Sequence, residues 1–433
     1  MARKMKDSGI EWIGEIPEGW EIHRIKTHFS IISGSGFKPE LQGQSTGDFP
    51  VCKASDISSS GHYLHTSANY ITSDIVKSQH FSIIPKGSIL FAKIGEAMRK
   101  NNRSLCSLDC CVDNNCQGLV PKNISSEFSY YLFTCIDMTW FDNAGTIPCI
   151  NNQKLYDCRI PFPSYGEQTL IANHLNIQCA KINEMLFHIR SSIEEYKKLK
   201  QTVITQAVTK GVRGEREMKD SGIDYIGQIP AKWVLGKLRN VGDTQNGISK
   251  SSEFFGKGFP FVSYSDVYKN YSLPFAVSGL VESTPEEQER YSVKEGDIFF
   301  TRTSETIEEV GFSCVCEKDI PNATFAGFLI RVRPFSDKLH TPYAKYYFRS
   351  THLRFYLVKE MNLVTRASLG QSLLKSMPVL LPPLEEQKEI ADYLDAKCAE
   401  IDKLIAKKEQ LVKELESYKK SLIYEIVTGK REV

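Results

Sequence analysis

One stretch of this chain, residues 166–209, is present twice. Shifted by 219 residues, Glu167, Gln168, Ile171, Ala172, Leu175, Cys179, Ala180 and Ile182 fall on Glu386, Gln387, Ile390, Ala391, Leu394, Cys398, Ala399 and Ile401. Each copy follows a proline-punctuated lead-in, IPFPSYGEQ (160–168) and LLPPLEEQ (380–387), and closes on a related tail, ITQAVTKG (204–211) and IYEIVTGK (423–430). Beyond the first turn neither copy contains Pro or Gly, so nothing interrupts a helical hydrogen-bond ladder. At 1.5 Å per residue about 44 residues make a rod of roughly 65 Å, longer than a domain of this size is wide. A chain built on two such rods does not close around one core.

A second repeat frames the first. MKDSGIEWIGEIPEGW (5–20) recurs as MKDSGIDYIGQIPAKW (218–233), at a shift of 213. Between these openings and the helices, short apolar runs alternate with Gly, Ser, Asn and Pro, the pattern of strands joined by turns. FPVCKASDI (49–57) matches FPFVSYSDV (259–267), GSILFAKIG (87–95) matches GDIFFTRTS (296–304), and SYYLF (129–133) matches KYYFR (345–349) as a short helix in each half. The matches keep their order, so both globular segments are expected to share one fold. At 433 residues the chain has room for both. The reading is α+β: a β-rich domain at 1–162, a long helix at 163–212, a similar domain at 213–381 and a second long helix at 382–433.

The helices carry heptad periodicity. With Ile171 at d and Leu175 at a, a seam runs through Ile182, Met185, Ile189, Tyr196, Leu199 and Val203, and in the second copy through Ile390, Leu394, Ile401, Leu404, Leu411, Leu415, Tyr418 and Leu422. This a/d seam is expected to join the two helices. Antiparallel pairing would give a coiled coil with pseudo-two-fold symmetry. An adjoining e stripe includes Leu186, Ile193, Ile405, Val412 and Ile426. A face three positions wide exceeds what one partner helix covers, so the e stripe is expected to dock helices of another chain.

The duplicated MKDSGIEWIGEIPEGW opening, the LPPLEEQ lead-in and the tails QAVTKG and EIVTGK together resemble the specificity subunit of type I restriction-modification systems. The resemblance spans nearly the whole chain. It implies that each globular segment is a target-recognition domain reading one half of a bipartite site in double-stranded DNA. The helices would set the spacer and dock two modification (methyltransferase) subunits that methylate adenine at N6, with restriction (translocase/endonuclease) subunits joining them. S-adenosylmethionine, ATP and Mg would be bound by those partners, and no cofactor by this chain.

The residues themselves show no catalytic constellation. There is no NPPY or DPPY loop for a flipped adenine and no GxxxxGK[ST] loop for ATP. The acidic run Glu282, Glu286, Glu287 and Glu289 with Lys294 reads as a solvated face rather than a nuclease centre. No apolar run has the length of a signal peptide core or a membrane span, which with twelve cysteines points to a reducing, cytoplasmic setting. Cys106, Cys110, Cys111 and Cys116 lack paired CxxC spacing and read as buried thiols rather than zinc ligands.

A formal net charge of +2 supplies no global attraction to DNA, so any basic surface is local. The densest cluster follows the strand at 87–95: Lys93, Arg99, Lys100, Asn101, Asn102 and Arg103, read as a loop. Its counterpart carries Arg302, Thr303, Ser304 and Glu305. Gly34, Ser35, Gly36 and Lys38, matched by Asn246, Gly247, Ser249 and Lys250, offer glycines for backbone approach to phosphate. Further candidates are Lys53, Ser55, Tyr264 and Ser265, then Asn151, Asn152, Arg366 and Gln371. Asp56 and Asp266, shared by both copies, read as turn or cap residues. Two readings compete: the specificity arm of another restriction-modification class, distinguished by what the neighbouring genes encode, and a coiled-coil adaptor whose β-rich domains bind protein, which predicts no sequence-dependent DNA retention. If the basic loop meets phosphate, Arg99→Ala with Lys100→Ala weakens DNA binding by the assembled complex and flattens its salt dependence, measured as log Kd against log salt concentration; an unchanged slope removes that loop from the interface.

Overall fold

The computed structural model describes residues 3–143, 145–304, 310–360 and 367–433. They form two compact units, Met1–Ile189 with Gln410–Val433, and Arg190–Glu409. Among the described residues no helix is long and apolar enough to cross a membrane.

In the first unit a five-stranded sheet has the order Phe29–Ser33, Cys116–Pro121, Ile89–Ala92, Arg103–Cys106, Tyr63–Leu64, antiparallel except at its last pair. Beside it lies a three-stranded sheet in which Phe49–Cys52 pairs parallel with Cys111–Val112 and antiparallel with Tyr70–Ile71. The second unit repeats the plan. Its main sheet runs Gly242–Asn246, Leu329–Pro334, Ile298–Thr301, Ser313–Val315, and its small sheet pairs Phe255–Val262 with Thr324–Phe325 and Leu280–Val281. Ile89–Ala92 and Ile298–Thr301 are buried along their whole length, which is why both read as unbroken apolar runs. The matched aromatic segments form helices, Ser126–Thr134 and Thr341–Tyr347.

The long helices are Tyr165–Lys210 and Leu384–Val427, each contributing one part to either unit. Their first turns are anchored by the same contacts in each unit. The Trp20 indole N–H donates to the Glu167 carboxylate at 3.2 Å, and Trp233 to Glu386 at 3.0 Å. Arg3 and Arg216 pair with those same carboxylates and lie 5.5 and 5.4 Å over the two indole rings. Gln168 accepts the Ser125 N–H and donates to the Pro163 carbonyl, while Gln387 accepts the His340 N–H and donates to the Pro382 carbonyl. The Glu-Gln pair after each proline lead-in is therefore the joint between helix and domain.

Within each unit the two helical segments run antiparallel. In the second, Tyr196 lies under the Lys408 ammonium at 5.5 Å, while Lys200 donates to Asp402 at 2.7 Å, so one helix advances as the other recedes. In the first, Lys419 donates to Asn183 at 2.8 Å, the same cross-link carried over by the shift of 219.

The buried faces differ from the expected ones. The a positions Leu175, Ile182, Leu394, Ile401 and Leu422 are buried, as are the d positions Ile171 and Ile390 at the domain joint, while Ile189, Tyr196, Val203 and Leu415 are half-buried. At mid-helix, however, the d positions Met185 (50% exposed), Leu199 (48%), Leu404, Leu411 and Tyr418 face solvent. The e positions Leu186 (6%), Ile193 (6%) and Ile426 are buried, with Ile405 and Val412 half-buried. The seam is a/e, a heptad moved along by three positions, and the e stripe is not the free face. The d stripe is broken by Gln178, Ser192, Gln206, Lys397 and Glu425, which water accommodates. The e stripe holds small Ala172, Cys179, Ala391 and Cys398, and its lysines, Lys200 and Lys419, each find a partner across the pair. Leu186→Ala or Ile193→Ala should therefore cost about 2–5 kcal/mol and lower the melting temperature. Met185→Ala or Leu199→Ala should stay within about 0.5–1 kcal/mol; equal losses in thermal melts of the four variants would contradict the a/e seam.

Candidate nucleic-acid interface

Two basic side chains occupy the same place in the two domains. Lys93 follows the central strand Ile89–Ala92; its N–H donates to the Asn115 carbonyl at 2.8 Å and its carbonyl accepts the Ile150 N–H at 2.9 Å. Arg302 follows Ile298–Thr301; its N–H donates to the Phe328 carbonyl at 2.8 Å and its carbonyl accepts the Leu369 N–H at 2.7 Å. Each cation thus stands where three segments meet at one end of its main sheet. Both are half-buried, and neither side chain makes a hydrogen bond or ion pair to a described residue. A cation held in place by its backbone, whose head is bonded to no described residue, is suited to an anionic partner such as phosphate.

The rest of the basic cluster at 99–103 is not the loop expected from sequence. Gly95–Arg99 is a short helix and Arg103–Cys106 a strand. Arg103 is buried: its guanidinium donates to the Phe133 carbonyl, to the Ile136 carbonyl at 2.9 Å and to Asn101 at 2.7 Å, and burial pulls it down to about 10. Asn101, at φ 61°, also accepts the Met138 N–H, so its amide faces inward. Asn102 donates to Ser58 at 3.0 Å. Exposed Arg99 is paired with Glu96 one turn back, and Lys100 is exposed. Arg103 and Asn101 tie the strand to the helix Ser126–Thr134 and the segment after it, a role that a run of polar letters does not disclose.

The other candidates divide similarly. Lys38 is exposed at the N-cap of the turn Pro39–Leu41. Lys53 donates to Gln42 at 2.7 Å and lies over Phe37. Lys250 is half-buried, held by Glu287 and the Glu282 carbonyl, both at 2.6 Å. Tyr264 and Ser265 open the helix Tyr264–Lys269, with Tyr264 half-buried and Ser265 exposed. Thr303 and Ser304 pair with Ser368 and Ala367 in a two-stranded ribbon beside Arg302. Arg366 and Glu305 lie outside the described residues.

Gly34 and Gly247 approach protein, not open surface: a Cβ would overlap the Asp113 carbonyl in one domain and the Phe325 and Ala326 carbonyls in the other. Gly36 is exposed, and Ser35 bridges to Asp113 beside Gly34. Asn151 caps the helix Asn152–Asp157, and Asn152 accepts from Gln117 at 3.1 Å. Gln371, at the position matching Asn152, bonds Thr244 and Asn246. Asp56 and Asp266 accept the Lys53 and Ser263 N–H groups at 2.7 and 2.8 Å, as helix caps do. Glu287 belongs to a capping box with Thr284, which accounts for part of the acidic run. Cys106, Cys110, Cys111 and Cys116 are buried free thiols, and burial lifts Cys111 to about 11.

Sequence reasoning passed over the turn residues to which the two cations are tied, Asn115 and Phe328. Both follow the pattern of two strand residues, a bridge and a two-residue turn, at the same shift of 213 as Gly34 and Gly247. The letters CVDNNC and TFAGFL share nothing, so only that shift could have pointed to them.

Two copies of one β-rich domain, each joined to a long helix, define a duplicated recognition module. A family model described as the type I restriction modification DNA specificity domain matches the chain twice, at 17–195 and 230–414. The chain is 25% identical over 391 residues to the type I restriction enzyme EcoKI specificity subunit of Escherichia coli (strain K12), covering 87% of this chain and 82% of that protein. It is 26% identical over 433 residues to the MjaVIII specificity subunit of Methanocaldococcus jannaschii, covering 96% and 93%. A chain solved in work on complex assembly and conformational transition of the type I R-M system shares the fold, with a TM-score of 0.69 and 18% identity over 96% of this chain and 99% of that one. This chain belongs to the type I restriction-modification DNA specificity family. Its function is recognition of DNA sequence, and its two copies of the domain fit a bipartite target. Specificity subunits are the non-catalytic members of type I systems and work with methyltransferase and restriction subunits on DNA.

Lys93→Ala and Arg302→Ala should each weaken DNA binding by the assembled complex and reduce the slope of log Kd against log salt by roughly 0.9, one phosphate contact. Arg103→Ala should instead lower the melting temperature. A salt titration in which neither surface variant changes the slope would take both cations out of the interface.

Proposed function

We propose that the domains at 1–162 and 213–381 are target-recognition domains that each read one half of a bipartite site in double-stranded DNA, approaching it with the sheet end that carries Lys93 or Arg302. The observation behind this reading is that a basic residue recurs in the same hydrogen-bonded frame in both domains while its surroundings change, Asn115 and Pro148–Ile150 in one, Phe328 and Thr303–Ser304 in the other. A constant cation suits the uniform backbone of DNA; varied neighbours suit two different half-sites.

The long helices at 163–212 and 382–433 act as the spacer between half-sites and as the dock for two modification subunits. In each unit the exposed d positions, Met185, Leu411 and Tyr418 in the first and Leu199 and Leu404 in the second, are apolar surface that a partner helix would cover. The modification subunits carry S-adenosylmethionine and methylate adenine at N6, the restriction subunits carry ATP and Mg, and the assembly works in the cytoplasm. This chain supplies the address.

Co-expression with the cognate modification subunit, followed by mapping of methylated adenines, tests the reading: two short defined half-sites separated by a fixed unspecified gap are expected, and methylation without a bipartite motif would refute it. One heptad added at matching points of both helices lengthens each by about 10 Å, the rise of roughly three base pairs. The gap should lengthen with the half-sites unchanged, and altered half-sites at a constant gap would remove the helices as spacer.

A further inference from the structure

The turn that accepts the hydrogen bond from Arg302 ends in an exposed phenylalanine. Phe328 is 64% exposed, yet it sits on a turn fixed from three directions. Its carbonyl accepts the Arg302 N–H at 2.8 Å, the preceding Gly327 N–H donates to Ile248 at 2.8 Å, and the following Leu329 carbonyl accepts the Gly247 N–H at 3.3 Å. A Cβ at Gly327 would come within 2.4 Å of the Ser249 hydroxyl and 3.2 Å of the Ile248 carbonyl, so the turn lies close against that segment. Single exposed apolar residues are common on protein surfaces and by themselves signify nothing. What distinguishes this one is its rigid support, its place beside Arg302, and its counterpart in the other domain.

That counterpart is Asn115. Its turn has the same hydrogen bond to the matching cation, Lys93, but is braced by a side chain instead: the buried Asp113 carboxylate accepts the Asn115 N–H at 3.1 Å. The frame is kept, and the exposed residue at its tip changes from a carboxamide to a phenyl ring. In the major groove these two groups read different things. A carboxamide matches the donor and acceptor on the adenine edge, whereas an apolar ring can contact only the 5-methyl group of thymine.

We propose that Phe328 is a specificity-determining residue of the second domain and reads a thymine methyl group in its half-site. This rests on the assignment of the Arg302 end of the sheet as the DNA-facing end. The contact removes one methyl group from water and needs no hydrogen bond, so its loss should be small and confined to one base pair.

The test uses the full chain assembled with its modification subunits. Once mapping has given the target, duplexes are made in which each thymine of the second domain's half-site is replaced in turn by uracil, which removes the 5-methyl group alone. The wild-type complex should lose about fourfold in affinity at one thymine, the worth of one buried methyl. The Phe328→Ala complex should bind that uracil duplex and its thymine parent equally, with an unchanged melting temperature. Phe328→Leu, which keeps an apolar tip, should regain part of the discrimination. Persistent sensitivity at that thymine in Phe328→Ala, or equal binding of every uracil duplex by the wild type, overturns the proposal and leaves DNA recognition standing. Uniform loss of binding with a lowered melting temperature also overturns it, by showing a structural role. Failure of the wild-type complex to prefer its target over unrelated duplexes overturns the underlying reading instead.

Discussion

A buried indole bonded to the carboxylate at the start of a long helix is the contact on which each unit depends. Trp20 and Trp233 are almost fully buried, and each N–H has one acceptor, Glu167 or Glu386. A carboxylate so placed is costly unless neutralised, and Arg3 or Arg216 does so while covering the indole face. The adjacent Gln168 or Gln387 spans the backbone of the globular domain and the proline lead-in. In the second unit, where Glu386 is buried, removing a partner strands a buried polar group; in the first, Glu167 keeps contact with water. The opening around Met5 or Met218, the Trp, and the Glu-Gln pair therefore form one unit of interaction, which explains why segments far apart in sequence are duplicated together.

With its base held this way, a helix has little freedom in which face it presents. Each unit sets the e stripe against the other helix, and Lys200 with Asp402, or Lys419 with Asn183, locks the register. The d stripe is left outside, apolar at mid-helix but interrupted by amides and charges. A surface of that composition is tolerable in water and still offers enough apolar area for a helix from elsewhere. The seam thus takes the e stripe, which the simplest heptad assignment leaves outside, and the d stripe faces solvent at mid-helix.

Much of the scaffold was legible in the letters because it is repeated. Matching apolar runs located the central strands at Ile89–Ala92 and Ile298–Thr301, and the absence of Pro and Gly located both helices. Three adjacent apolar stripes, however, are compatible with two different seams, and only the cross-strung partners of Lys200 and Lys419 choose between them. The site was harder for a related reason. Arg103 and Lys93 are the same kind of letter in the same cluster, yet one lies within reach of three internal acceptors and the other does not. Charge shows in sequence; the presence of a buried carbonyl to absorb it does not. Gly34 and Gly247 misled similarly, since their close approach is to a neighbouring strand of their own domain.

The division between constant and varied residues follows from how DNA is read. Phosphates are alike at every step, so a residue that meets them can be copied with the scaffold, and Lys93 and Arg302 are the pair proposed for that role. Base edges differ, so what reads them must change without disturbing its support. The turn at Asn115 or Phe328 allows this because its geometry is set by backbone hydrogen bonds and by what lies beneath it, an aspartate brace in one domain and the close-lying segment of Ile248 and Ser249 in the other. The exposed tip differs in chemistry between the two domains at a fixed position. A chain with a net charge of only +2 gains little from long-range attraction, which places more weight on such short-range contacts and on the partners that assemble around it.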